Sequence, residues 1–285
     1  MQVNIFEKQQ TLASNFEFIY PGVPVFCFGD NYLLCFMLGW IRSLWRFLYF
    51  GFTTSFGIAG FFWKILWGVP KDEAGPRLRR WWLRKVPWRL GLHMELQGEP
   101  YLGTCLYVGN HITYIDPIVI LMHVDANVVA KAEISNWPLM GYGASIVGTI
   151  FVKRDEKSSR QKTAIAIREA LENNKSILVF PEGTTSAGPH TLPLRPRSFE
   201  AALLAGVPVQ PVAIYYDSPD VAFIGDHTFL PHFFKLFSMK EIHGKVTFGP
   251  LLYGADTCEK SMEWINETMM KGSLIPVAHE PAPKA

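Results

Sequence analysis

The sequence is short of charge, of cysteine and of any unbroken apolar run of membrane-spanning length. Charged residues make up 18% of its 285 positions, against roughly 25% in ordinary soluble domains. The formal net charge is only +2, which argues against a general polyanion binder and leaves the basic residues to be read by position. Cys27, Cys35, Cys105 and Cys258 show no CxxC and no regular spacing. They read as reduced thiols in a cytoplasm-facing protein, not as a disulfide framework or a zinc site. The eight histidines include no H-E-x-x-H. A G-x-S-x-G elbow is also missing, since Gly143-Ala144-Ser145-Ile146-Val147 lacks the final glycine. Neither a zinc-protease motif nor a hydrolase nucleophile turn is therefore present, and no metal or redox cofactor is implied. Glu7, Lys8 and Glu17 occupy the places of a basic leader and its apolar core, so no signal peptide is expected. There is no internal repeat.

Apolar residues are plentiful, at 49%, and aromatic ones make up 14%; the surplus is local. Phe47 to Trp63 is seventeen residues without a charge, and Tyr32 to Ile41 adds ten more across Arg42 and Arg46. A seventeen-residue helix is about 25 Å long, short of a hydrocarbon core of roughly 30 Å. One tilted span, a re-entrant hairpin and a helical pair lying in the interface all fit. Eight basic residues and two acids follow between Lys64 and Arg89, interleaved with Trp67, Trp81, Trp82 and Trp88. Cations beside indoles suit a lipid headgroup layer; the same mixture suits nucleic acid, but the adjoining apolar run favours lipid. Residues 32–90 therefore read as membrane-associated helices after an N-terminal extension, 1–31; with a span, the basic side is cytoplasmic and residues 64–285, the catalytic domain included, face the cytosol.

From Leu92 the pattern alternates. Leu92–Leu96, Cys105–Val108, Asn127–Ala130, Ile150–Val152, Ile177–Phe180, Val207–Ile214 and Lys245–Phe248 read as strands. Helical stretches are expected at 117–123, 137–147, 158–173, 199–204 and 256–271. Residues 216–245 carry little pattern before that late strand, and 276–285 is a tail. The expectation is an α/β domain over 91–275 with a mostly parallel central sheet flanked by helices.

Chemistry gathers at strand ends. Strand Cys105–Val108 runs into Asn110-His111-Ile112-Thr113-Tyr114-Ile115-Asp116-Pro117. Asp116 reads as a helix cap with Pro117 as the first helical residue. Five residues separate His111 from Asp116: on one helix they would face apart, but on a loop folding back they can meet. A carboxylate on one ring nitrogen leaves the other free as a base. Strand Ile177–Phe180 runs into Pro181-Glu182-Gly183-Thr184-Thr185-Ser186, an acceptor, a permissive glycine and hydroxyls in one turn. Gly148 to Arg154 is a strand delivering a cation at its end, and an arginine fork suits phosphate.

These pieces, with Val207-Pro208-Val209-Gln210-Pro211-Val212, resemble the glycerolipid (lysophosphatidate-type) acyltransferases in order and approximate spacing over roughly 100–215. The resemblance implies His111 as general base with Asp116 as its partner. It assigns Phe151 and Arg154 to a glycerophosphate-binding block, and Glu182, Gly183 and Thr184 to a substrate-binding turn. Lys131 stands where the family often has a lysine beside the site, and an N-terminal helical pair seats such enzymes on membranes. The implied reaction moves a fatty acyl group directly from acyl-CoA or acyl carrier protein to the hydroxyl of a lysolipid, foremost 1-acylglycerol-3-phosphate. Position 185 departs from the pattern, with threonine where the family usually has arginine. Either Arg154, Arg195 or Arg197 then meets the phosphate, or the acceptor has another headgroup, such as a lyso-aminolipid. Three rivals stand beside this reading: a serine or cysteine esterase working through an acyl-enzyme, with Cys105 as one candidate nucleophile, a metal hydrolase using His111, Asp116 and His123, and a silent membrane-binding protein.

Overall fold

The computed structural model describes residues 32–153, 157–188 and 190–273. The expectations for 1–31, for Arg154 and for the tail 276–285 lie outside these. The sheet has seven strands: β1 (Leu92–Gln97), β2 (Leu106–Gly109), β3 (Asn127–Lys131), β4 (Ile150–Val152), β5 (Ile177–Val179), β6 (Val209–Tyr216) and β7 (Ile242–Phe248). Their spatial order is β1-β7-β6-β2-β5-β3-β4. All neighbours are parallel except β6 and β7, as a mostly parallel sheet requires. β2 and β5 are short, apolar and buried along their whole length, the mark of central strands covered on both faces.

The ends of β2, β5, β3 and β4 all face one edge, and Tyr216 ends β6 at the same edge. Opening from that edge are α3 (Asp116–Leu121), α4 (Met140–Ile146), α5 (Lys157–Glu172) and α6 (Arg197–Leu204). α7 (Phe229–Ser238) falls where little pattern was legible, and α8 (Thr257–Ser273) closes the domain.

Two helices precede the sheet. α1 (Tyr32–Leu66) is continuous through Arg42 and Arg46, and α2 (Lys71–Leu90) returns after a turn at Gly68. The re-entrant hairpin within 47–63 is therefore not formed; a helical pair is. On α1, Ser43, Arg46, Phe50, Thr53, Thr54 and Phe61 are buried, a spacing of three and four that marks one helical face. The opposite face exposes Trp40, Trp45, Leu48, Phe52, Phe56 and Trp63. Among the described residues no helix is long and apolar enough to cross a membrane.

Charges inside α1 are spent on the domain. Arg46 donates to the carbonyls of Phe237, Met239 and Lys240 at 3.1, 2.7 and 2.8 Å, and Arg42 to that of Ser238 at 2.6 Å. The carbonyls that end α7 have no partner within the helix, and a cation there also meets its dipole. Gly91, at φ 81°, leaves room for the guanidinium: a Cβ would sit 2.3 Å from Arg46 Nη2. On α2, buried Arg79 pairs with Asp125 and donates to Asn127 Oδ1 at 2.8 Å and the Val147 carbonyl at 3.0 Å. Cys105 and Cys258 are free thiols, whereas Cys35 is disulfide-bonded, against the expectation of reduced thiols throughout.

Candidate active site

The loop after β2 folds back on itself around one carboxylate. Asp116 is fully buried. Its Oδ2 accepts the Ile112 and Thr113 main-chain N–H groups at 2.6 and 2.8 Å and lies 2.8 Å from His111 Nδ1. Its Oδ1 accepts the Tyr216 hydroxyl at 2.8 Å. Asp116 is thus not the expected helix cap: Ile115 holds that position and Asp116 is the first helical residue, with Pro117 behind it. The carboxylate points away from the helix end because the backward turn of 111–113 offers it two N–H groups and an imidazole. An ionised acceptor on Nδ1 fixes the Nδ1–H tautomer, leaving Nε2 unprotonated. Nε2 has no hydrogen-bond partner among the described residues. The ring lies stacked on Phe180 at 4.4 Å, with 16% of the side chain exposed. An oriented base with its lone pair free is what this arrangement supplies.

The turn after β5 closes against that loop. Gly183 N–H returns to the Phe180 carbonyl at 3.1 Å. Gly183 has φ 81°, a backbone conformation that favours glycine, and a Cβ there would displace the Arg195 guanidinium, whose carbon would lie 2.6 Å away. Glu182 turns inward. One oxygen accepts the His111 main-chain N–H at 2.7 Å, and the other accepts the Leu192 N–H at 2.8 Å and the Ser186 hydroxyl at 3.0 Å. Burial pushes this carboxyl above the usual range, opposed by those same three donors. Thr185 donates its hydroxyl to the Phe223 carbonyl, while Thr184 stands exposed at the tip. The sequence expectation of a substrate-facing turn therefore divides: Glu182 and Thr185 tie loops together, and Gly183 lines a cavity.

Two cavities adjoin the loops that hold the site: residues following His111 line one, and its stacking partner Phe180 lines the other. The larger, of about 240 Å³, is lined by α1, α2 and α4 and by Tyr114, Pro117 and Ile118; nearly all of its surface is apolar. The smaller, of about 120 Å³, is lined by Phe180, Gly183, Arg195, Arg197 and Ser198 with residues of α5. On β3, Val128 and Ala130 face the first and Val129 the second, so the sheet separates them, as alternating side chains dictate. Lys131 ends β3, two strands from β2 and so roughly 10 Å aside, where it pairs with Glu133 at 3.2 Å. Phe151, on β4 in register with Ala130, is one strand further and lines neither cavity.

Cys105 is buried, and burial pushes its thiol up to about 12, which leaves it a core residue without nucleophilic character at neutral pH. His123, proposed with His111 and Asp116 for a metal, is instead packed near Phe248. Among the described residues no three His, Cys, Asp or Glu side chains are grouped to hold a metal ion.

His232 on α7 was missed by the sequence reading. It is 4% exposed and takes Tyr114 Oη at 3.1 Å on Nδ1 and the Ala222 carbonyl at 3.2 Å on Nε2. The carbonyl accepts only, so Nε2 carries the proton and Nδ1 accepts the Tyr114 hydroxyl. Burial, then His227, lowers its pKa from 6.5 to about 4. A depressed pKa means stability that is present above the unfolded value and lost as pH falls from 6.5 towards 4. By pH 5 the loss from this group is about 2 kcal/mol. His232→Gln is expected to flatten the fall in urea-unfolding free energy between pH 7 and 5; an unchanged slope would assign it elsewhere.

A buried carboxylate steadying an imidazole at a strand end, with two cavities opening near its loop, is an arrangement that can hold and move a proton. Residues 93–215 match the model of the Acyltransferase family. The chain is 36% identical over 165 residues to a lyso-ornithine lipid O-acyltransferase of Pseudomonas aeruginosa, covering 56% of this chain and 64% of that one. It is 29% identical over 167 residues to a 1-acyl-sn-glycerol-3-phosphate acyltransferase of Neisseria gonorrhoeae, again covering 56% and 64%. The chain thus spans just under two thirds of the length of these relatives. The crystal structure of a 1-acyl-sn-glycerophosphate acyltransferase from Thermotoga maritima shares the fold, with TM-score 0.64 and 18% identity over 83% of this chain and 98% of the other.

Proposed function

We propose that the protein is a lysolipid O-acyltransferase that moves a fatty acyl group from an acyl thioester to a free hydroxyl. The observation that carries this is His111, oriented on Asp116 with Nε2 free, on a loop whose Tyr114 and Pro117 line an apolar cavity and beside Phe180, which lines a second cavity with two arginines. The acyl chain fills the apolar cavity, and an anionic headgroup group meets Arg195 and Arg197. His111 Nε2 takes the proton of the acceptor hydroxyl, whose oxygen attacks the thioester carbonyl carbon. The C–S bond then breaks, and the same proton passes from His111 to the departing thiolate. Ester and thiol are formed with no acyl-enzyme and no cofactor. Acyl-CoA and acyl carrier protein are both donors of this chemical class.

The acceptor named first is 1-acylglycerol-3-phosphate. A second reading, a lyso-aminolipid such as lyso-ornithine lipid, is favoured by Thr185: its hydroxyl is held by Phe223 and brings no positive charge to a phosphate. A carboxylate or a phosphate can each meet the arginines. The exposed apolar face of α1 and the basic, tryptophan-bearing α2, with Trp88 66% exposed, support seating of the helical pair in the interface of the cytoplasmic leaflet.

The test is turnover with acyl-CoA and acyl carrier protein donors against both acceptors and lysophosphatidylethanolamine, with products identified by mass spectrometry. No O-acylated product from any pairing would end the proposal. If the larger cavity holds the acyl chain, Ala144→Phe is expected to shorten the preferred chain. Each methylene excluded costs about 0.8 kcal/mol, or about fourfold in kcat/KM. Unaltered chain preference would remove the cavity from that role.

A further inference from the structure

Asp116 has a second contact that the base itself does not use. Its Oδ1 is held by the hydroxyl of Tyr216, the last residue of β6, at 2.8 Å. β6 pairs with β2 in parallel, Gly109 beside Val212, so β6 runs four residues past the end of β2. That extra length, about 13 Å, carries Tyr216, still paired with Gly244 of β7, past the end of β2 to the loop that holds His111. The same strand is pinned to the same loop one step earlier. Asn110 donates to the Ile214 carbonyl at 2.9 Å and accepts the Ile214 N–H at 2.7 Å. Tyr216 is 6% exposed, and burial, then Asp116, holds its hydroxyl protonated, well above the ordinary tyrosine range. It is therefore a fixed donor.

We infer that Tyr216 is a positioning residue for the His111–Asp116 pair: it locks the rotation of the carboxylate so that Oδ2 alone faces the imidazole. Without that donor Oδ1 is a buried, unpaired acceptor. The carboxylate is then free to turn, exchanging its two oxygens between the ring and the loop N–H groups. Its full charge also falls on the remaining donors. The first effect loosens the ring; the second strengthens the carboxylate's pull on a proton held by the pair.

Tyr216→Phe keeps the ring and removes only the hydroxyl, and it can be tested in the full chain. Two measurements are made beside a control, Ile214→Val, which trims the same strand without touching Asp116. The first is NMR of the His111 Nδ1–H proton, assigned by its loss in His111→Ala. Its exchange with water is expected to quicken several-fold in Tyr216→Phe and to stay unchanged in the control. No substrate is needed, so this arm stands even if the lysolipid reading fails. The second arm rests on that reading: kcat falls about tenfold, acceptor KM stays within about twofold, and the acid limb of the kcat/KM profile moves to higher pH. A merely structural tyrosine would lower the active fraction and leave the acid limb and the proton exchange in place. Exchange and acid limb both matching the control would overturn the inference. Absence of turnover in the unaltered protein, with altered exchange in Tyr216→Phe, would instead count against the lysolipid reading alone.

Discussion

Turnover by His111→Ala is expected to fall by about 10²–10⁴-fold, the usual worth of a positioned general base. The fold should survive, because the main chain of residue 111 does the structural work. Its N–H bonds Glu182 and its carbonyl accepts the Ser186 N–H at 2.8 Å, and alanine keeps both. What is lost is the ring stacked on Phe180 and the one lone pair aimed out of the loop. Circular dichroism and urea unfolding would verify the fold beside the assay. Turnover within threefold of the unaltered enzyme, at equal folded fraction, would require a different base.

Asp116→Asn is expected to cost about 10⁴-fold in kcat with little change in stability. Asparagine is nearly the same shape and can turn its oxygen to the three donors that Oδ2 now accepts. Its amide group then faces Tyr216, whose hydroxyl can rotate to accept. Geometry persists while the negative charge disappears, so the imidazolium formed during transfer loses its partner. Asp116→Ala should be worse for stability, because it strands the Ile112 and Thr113 N–H groups in a dry loop. The informative comparison is therefore Asn against Ala: similar rates with different unfolding free energies separate the charge from the scaffold. Undiminished kcat for Asp116→Asn would show that the pair does not act as one.

Much of this was legible in the sequence, because it depends on local pattern. The short apolar runs ending at Gly109 and Val179 are central strands, and chemistry at their ends follows from a parallel sheet. Other features were hidden for particular reasons. α7 was unreadable because Pro231 and His232 interrupt its apolar run; yet a proline in a first turn removes an N–H that needs no partner. The first half of β7 was lost at Gly244, which reads as a break. There a Cβ would stand 2.3 Å from the Tyr215 carbonyl oxygen, so the glycine is a close strand approach. α1 was divided at its arginines, whose partners are carbonyls nearly two hundred residues away. The inward contacts of Glu182 and of Tyr216 were not legible for the same cause: hydrogen bonds between distant segments leave no periodicity. Only the residue types at the strand ends, not the direction each side chain takes, could be read in advance.

The larger cavity has a divided ownership. One wall is the catalytic loop and α4; the other is Phe50, Thr54, Ile58, Leu78 and Trp82 of the helical pair. Cutting the chain at residue 91 to gain a tractable fragment would keep every catalytic atom and unroof the greasy chamber beside them. With the acyl chain in this cavity, as proposed, the two leading helices form one wall of its container, and a fragment beginning at residue 91 would be expected to lose chain-length preference.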